Sequence, residues 1–100
     1  MQALARRWAL WMDTPYPSGW GGVNIAGCEL VLIDADMAML VKSAVERGPL
    51  TQGGAAELAR LLDQLRGALP SITGEGAAYF GGLTDMADIA VRLANAAVGR

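Results

Sequence analysis

Residues 51–70, TQGGAAELARLLDQLRGALP, carry the clearest structural signal in the chain. Leucines recur there every three or four residues, the spacing that places side chains on one face of an α-helix; they are Leu58, Leu61, Leu62, Leu65 and Leu69. Charged residues fall on the opposite side as i, i+3 pairs: Glu57, Arg60, Asp63 and Arg66. Thr51 can cap the start and Pro70 ends the pattern. The stretch predicts an amphipathic helix that needs other helices to cover its leucines.

The segment before it, residues 34–47, predicts a second helix. Asp34 is suited to the N-cap and Asp36 to the first turn, where the helix dipole favours negative charge. Gly48 and Pro49 stop the helix. Its apolar stripe consists of Met37, Leu40, Val41, Ala44 and Val45, and Met39 is expected to fill the core as well.

In the segment after it, residues 75–98, the apolar residues recur at helical intervals, which predicts a third helix. Its apolar positions share one face: Tyr79, Leu83, Met86, Ala90, Leu93 and Ala97. Gly81 and Gly82 predict either a bend or a break with a restart capped by Thr84. Gly99 is expected to terminate the helix.

The N-terminal region predicts a short helix over residues 3–12 and then a loop. Leu4, Trp8 and Trp11 share one helix face. The loop at residues 13–19 contains two prolines and a glycine, which cannot continue a helix. We call residues 1–20 the N-terminal arm.

Residues 20–33 are ambiguous between a hairpin that turns at Ala26-Gly27 and a helix that begins near Glu29. We favour the hairpin because a longer helix would place Asp34 in the middle of an apolar face, and because residues 31–33 form an apolar run with β-branched members. The predicted fold is mainly α, a small three- to four-helix bundle with a possible short β-hairpin near residues 22–33. Residues 1–100 form a single domain, with the N-terminal arm preceding a helical core at residues 21–100.

The composition favours association with another protein. The chain is 53 % hydrophobic and 18 % charged, whereas typical domains are about 45–50 % apolar and about 25 % charged. Some apolar surface should therefore remain once one core is filled, and a homo-oligomer, the simplest being a homodimer, would cover it. The acidic net charge of -2 disfavours nucleic-acid binding and suits a partner with a basic surface.

Features of the sequence also indicate where the protein is located. Cys28 is the only cysteine, so no internal disulfide can form. No apolar run reaches the ~18 residues of a membrane span, and the N-terminal apolar stretch is too short for a signal peptide. We expect a cytoplasmic protein, and the preference for Arg over Lys, with abundant Ala and Gly, indicates a bacterial one.

Several kinds of catalytic chemistry are missing from the sequence. There is no histidine, which is the commonest general base and metal ligand. One cysteine cannot form a Cys-rich zinc site, and no phosphate-binding glycine loop is present. Asp34 and Asp36 could contribute to a hard-cation site, but a helix cap and dipole complement explain both. We therefore predict a protein that is not an enzyme and needs no cofactor or metal.

The aromatic residues are the main candidates for binding. Four of the six lie in the N-terminal arm: Trp8, Trp11, Tyr16 and Trp20. They could contact a partner, since Trp and Tyr are common at binding hot spots, or the arm could fold back over the bundle. The other two, Tyr79 and Phe80, could line an apolar cavity next to Gly81 and Gly82.

Three functions follow, in order of preference. The first is a non-catalytic interaction module that self-associates or binds a protein partner, for example in a regulatory or toxin-neutralising role. The second is a helical protein that binds a small apolar ligand, with Trp20, Tyr79 or Phe80 at the cavity. The third is a carboxylate-dependent metal binder or enzyme centred on Asp34 and Asp36.

Overall fold

The structure is a computed structural model that describes residues 2–98. Four α-helices account for most of this part of the chain: α1 (Gln2–Met12), α2 (Leu30–Arg47), α3 (Gln52–Ala68) and α4 (Gly74–Val98). A two-stranded antiparallel hairpin, β1 (Asn24–Ile25) with β2 (Cys28–Glu29), precedes α2. A 3₁₀ turn at Leu69–Ser71 connects α3 to α4. The prediction of a mainly α bundle with a short hairpin is confirmed, whereas the predicted cap at Gly99 lies outside the described residues.

Helix α3 matches its prediction closely. The Thr51 hydroxyl accepts a hydrogen bond from the Gly54 amide at 3.1 Å, which is the expected N-cap. All four of its leucines are buried, namely Leu58, Leu61, Leu62 and Leu65, whereas Leu69 lies just after its end in the 3₁₀ turn. Helix α4 covers them and also contacts α1 and α2, so it is the central helix of the bundle.

Helix α2 begins at Leu30, as in the alternative that was not favoured, and its cap lies five residues before the predicted one at Asp34. Its N-cap is Glu29, whose carboxylate accepts from the Leu32 amide at 3.0 Å. The hairpin is correspondingly short, with two residues in each strand and the predicted turn at Ala26-Gly27, where both residues have positive φ. Asp34 therefore lies inside α2 and does not cap it.

Helix α4 runs through Gly81 and Gly82 without a break. Thr84 is not an N-cap, because its hydroxyl donates to the Gly81 carbonyl at 2.7 Å within the continuing helix. The predicted restart is therefore wrong. Helices packed on several sides of α4 compensate for the low helix propensity of the two glycines.

The core combines residues from all four helices, and α1 is part of it. The largest fully buried side chains include Leu4, Leu30, Met37, Val41, Leu58, Leu65, Phe80, Leu83 and Met86. Met39 departs from the prediction, because 65 % of it is exposed on the outer side of α2. None of the described helices combines the length and the apolar composition that crossing a bilayer requires.

Candidate functional site: an aromatic groove beside helix α4

Five of the six aromatic residues form one cluster where the N-terminal arm meets α4. Trp8 stacks on Trp11 with ring centroids 5.6 Å apart, and Trp11 lies 4.8 Å from Tyr79. Tyr16 meets Tyr79 and Phe80 edge to face, at 5.4 and 5.8 Å. Edge-to-face and offset arrangements of this kind stabilise a cluster beyond simple burial. The arm thus folds back onto its own chain.

Trp11 attaches the arm to α4. Its indole N–H donates to the main-chain carbonyl of Tyr79 at 3.1 Å. The ring also lies over Gly82, where an added Cβ would be 3.3 Å from Trp11 Cδ1. A glycine at position 82 therefore allows the indole to approach the helix closely.

Trp20 makes a second and closer contact with α4. A Cβ at Gly76 would lie 2.6 Å from Trp20 Nε1 and 2.8 Å from the Cγ2 atom of Ile72. No side chain fits in that space, so the contact depends on glycine. Trp20 lies outside the ring cluster, but its carbonyl accepts from the Tyr16 hydroxyl at 2.9 Å.

Between the arm and α4 the surface forms an open groove of about 390 Å³, which we call the aromatic groove. Its walls combine aromatic rings, prolines and small residues, with a single carboxylate: Trp11, Thr14, Pro15, Tyr16, Pro17, Glu75, Ala78 and Tyr79. Glu75 is exposed in the first turn of α4. The groove can therefore accept an apolar group and place a positive charge against Glu75.

Beneath this surface, Tyr79 is bonded to Asp34. The phenolic O–H donates to the Asp34 carboxylate, with oxygens 3.1 and 3.2 Å apart. Burial raises the pKa of Asp34, although the Tyr79 hydrogen bond opposes that rise. Burial and the Asp34 charge both raise the pKa of Tyr79. The phenol is therefore a hydrogen-bond donor at neutral pH, and it satisfies a carboxylate that would otherwise be costly inside the helix packing.

The structure does not bring Asp34 and Asp36 together as a cation site. Asp34 is half-buried against Tyr79, whereas Asp36 is exposed on another side of α2. Within residues 2–98 no group of three or more side chains of the metal-binding types comes together.

Cys28 is buried in the hairpin with 2 % exposure. Burial and the neighbouring Glu29 charge raise the pKa of its thiol, which disfavours the reactive thiolate.

Sequence reasoning identified the three aromatic residues of the groove wall but missed the other five: Thr14, Pro15, Pro17, Glu75 and Ala78. The alternation of Pro15, Tyr16 and Pro17 was the available signal, because it fixes an extended backbone on which a ring can be presented. Phe80 was expected to line a cavity, but it is fully buried and packs against Tyr16 and Tyr79.

No protein-family model, curated protein or solved structure matches this chain. The aromatic groove is therefore interpreted from its own geometry and chemistry.

Proposed function

We propose that this protein is a non-catalytic interaction module whose aromatic groove binds a short, extended segment of a protein partner. The segment contains proline and at least one basic side chain. The observation that supports this most is the groove itself, an open surface with three aromatic rings, two prolines and a carboxylate on its walls.

The aromatic walls suit an extended, proline-containing chain. Polyproline II segments are rigid before binding, so they lose little entropy when they dock in grooves lined by aromatic rings. Trp11, Tyr16 and Tyr79 present such rings, and contacts within the protein hold all three in place. A groove that is already ordered adds little entropic cost to binding.

The charge distribution suits a basic partner. Glu75 is the one charged residue on the groove wall, and the whole chain has a net charge of -2. A Lys or Arg side chain could pair with Glu75 while its stem or guanidinium lies over an aromatic face. This agrees with the sequence-based expectation of a partner with a basic surface.

The other parts of the sequence-based prediction stand as proposals beside this one. We propose that the protein is cytoplasmic and bacterial, that it has a regulatory or toxin-neutralising role, and that it also self-associates. Because the rings of the N-terminal arm pack on their own chain, self-association would use a surface other than these rings. The apolar-ligand alternative also applies to the aromatic groove, which is open to solvent rather than an enclosed cavity.

Binding can be tested by calorimetric titration with two synthetic probes, a proline-rich peptide containing arginine and the same peptide with glutamate in place of arginine. We expect the arginine peptide to bind and the glutamate peptide to bind at least about tenfold more weakly, a difference of about 1.4 kcal/mol. Glu75→Gln should remove most of this preference. Equal binding of both peptides would contradict the role of Glu75.

A matched pair of variants tests the location of the site. Ala78→Phe places a ring in the aromatic groove, whereas Ala77→Phe places the same ring on the neighbouring exposed position, which does not line the groove. We expect only Ala78→Phe to abolish peptide binding. If neither peptide binds wild type but an apolar dye does, and Ala78→Phe blocks the dye, the groove binds small apolar ligands and the peptide proposal is wrong.

A further inference from the structure

Helix α2 has an exposed apolar strip on the side that faces away from the bundle. Met39 and Leu32 are 65 % and 64 % exposed, and Val31 and Ala35 are exposed next to them. The buried side of the same helix already contacts α1, α3 and α4. We call the exposed side, from Val31 to Arg47, the outer face of α2.

The charges on this outer face are divided between its two ends. Asp36 lies in the N-terminal half, and Lys42 and Arg47 lie in the C-terminal half, together with Glu46. Asp36 and Arg47 are separated by eleven residues, which is three helical turns, so they occupy the same edge of α2. Neither is among the ion pairs formed within the described part of the chain, although the Asp36 charge helps to raise the pKa of Arg60 on α3.

We propose that the outer face of α2 binds a second copy of this chain, with the two α2 helices antiparallel around a two-fold axis. A two-fold axis across an antiparallel helix pair brings each edge against the same edge of the partner helix. Asp36 of each copy then approaches Arg47 of the other copy, which gives two equivalent ion pairs in the dimer. The axis passes within one turn of Met39, so the Met39 side chains pack close to it.

Self-complementarity favours a second copy over an unrelated partner. An isologous interface needs a patch that matches itself after rotation. The two contacts between Asp36 and Arg47 meet that requirement, against one repulsive contact between the two exposed Lys42 side chains near the axis. A parallel pairing around a two-fold axis would instead set this edge against the opposite edge of the partner helix, so Asp36 and Arg47 would not meet. Covering Met39 would also account for part of the apolar surplus in the composition. This proposal is independent of the aromatic groove, which lies on a different part of the surface.

The first test is the subunit number, measured by sedimentation and native mass spectrometry over a range of concentrations. We expect wild type to be a dimer and Met39→Glu to be a monomer. Leu10→Glu is the matched control, because Leu10 is 69 % exposed but lies on α1; this variant should remain a dimer. A monomeric wild type, or a dimer that Leu10→Glu disrupts while Met39→Glu does not, would overturn the proposal.

A charge exchange tests the antiparallel arrangement. Asp36→Arg and Arg47→Asp each place like charges together twice, and each should weaken dimerisation about tenfold. The double variant Asp36→Arg/Arg47→Asp restores opposite charges and should return the dissociation constant to near that of wild type. Thermal unfolding of each variant checks that the monomer stays folded. Additive losses in the double variant would exclude the antiparallel arrangement.

Discussion

At the scale of single residues, Gly76 determines whether Trp20 can lie against α4. A methyl group there would be within 2.6 Å of the indole nitrogen and 2.8 Å of Ile72. We expect Gly76→Ala to lower the free energy of unfolding by about 1–3 kcal/mol, because overpacking forces neighbouring side chains apart. Urea denaturation measures the change.

Gly81 provides the control for this prediction. It lies in the same helix, and an added Cβ would have no neighbour within 4 Å. Gly81→Ala should therefore raise the free energy of unfolding by about 0.5–1 kcal/mol through improved helix propensity. Equal destabilisation of both variants would contradict the prediction, because the loss at position 76 could then not be attributed to the close contact with Trp20.

Because Asp34 is half-buried, we expect the free energy of unfolding to depend on pH. Its pKa is higher in the folded than in the unfolded chain, because burial disfavours the charged form. Protonated Asp34 therefore contributes its full stabilisation below the pKa that this residue has in the unfolded chain. The contribution is lost as pH rises through the higher pKa of the folded chain. Relative to Asp34→Asn, wild type should lose free energy of unfolding as pH increases from about 4 towards neutrality.

The measurement is a set of urea denaturation curves for both proteins across that pH range. Other carboxylates cancel in the difference between them. In a Tyr79→Phe background the loss should become larger, since the hydrogen bond that favours the carboxylate is absent. A difference that does not change with pH would show that Asp34 titrates alike in the folded and unfolded chains.

Asp34 also shows why part of the site could not be predicted from the sequence. Local rules assign an aspartate near a helix start to the cap, which is wrong for Asp34, and they treat a carboxylate within an apolar face as unfavourable. Here the compensating hydroxyl comes from Tyr79, 45 residues further along the chain. Only the packing of α2 against α4 creates that hydrogen bond.

At the scale of elements, Glu29 determines where α2 begins. Its carboxylate accepts from the Leu32 amide, one of the free N–H groups of the first turn. Glu29→Ala should lower the free energy of unfolding by about 1 kcal/mol through loss of the cap. Glu46→Ala, near the exposed end of the same helix, should change it by less than about 0.5 kcal/mol. Chemical denaturation of both variants distinguishes a cap from a general loss of negative charge.

The elements that were predicted well are those whose signals are local. Helix α3 has regular leucine spacing, a Thr51 cap and a proline after its end, and all three are visible within twenty residues. Helix α4 was less predictable, because Gly81 and Gly82 are unfavourable in an isolated helix. Its continuity depends on the helices packed around it, including the Trp11 indole over Gly82.

At the scale of the whole molecule, the N-terminal arm is part of the core. Leu4 is fully buried, whereas Leu10 on the same helix is mostly exposed. Leu4→Ala should lower the free energy of unfolding by about 2–5 kcal/mol, because it leaves a cavity among packed side chains. Leu10→Ala should change it by less than about 0.5 kcal/mol. Similar, small effects of both substitutions on the denaturation midpoint would mean that α1 is not docked in solution.

The sequence indicates the aromatic residues of the groove but not the way in which the groove is assembled. The sequence shows that Trp11 and Tyr16 are suited to binding, but it does not show that the arm meets α4 at Glu75 and Ala78. That meeting depends on α1 docking against α4, which is a long-range contact.

The indoles that rest on glycines have a consequence for the evolution of this fold. Trp20 with Gly76, and Trp11 with Gly82, are pairs in which one residue fills the space that the other leaves empty. The tighter pair, at position 76, should covary in any lineage that keeps this architecture. A descendant that acquires a side chain at position 76 should also replace the indole at position 20 by a smaller residue, and a change at one position should make the ancestral residue at the other disadvantageous.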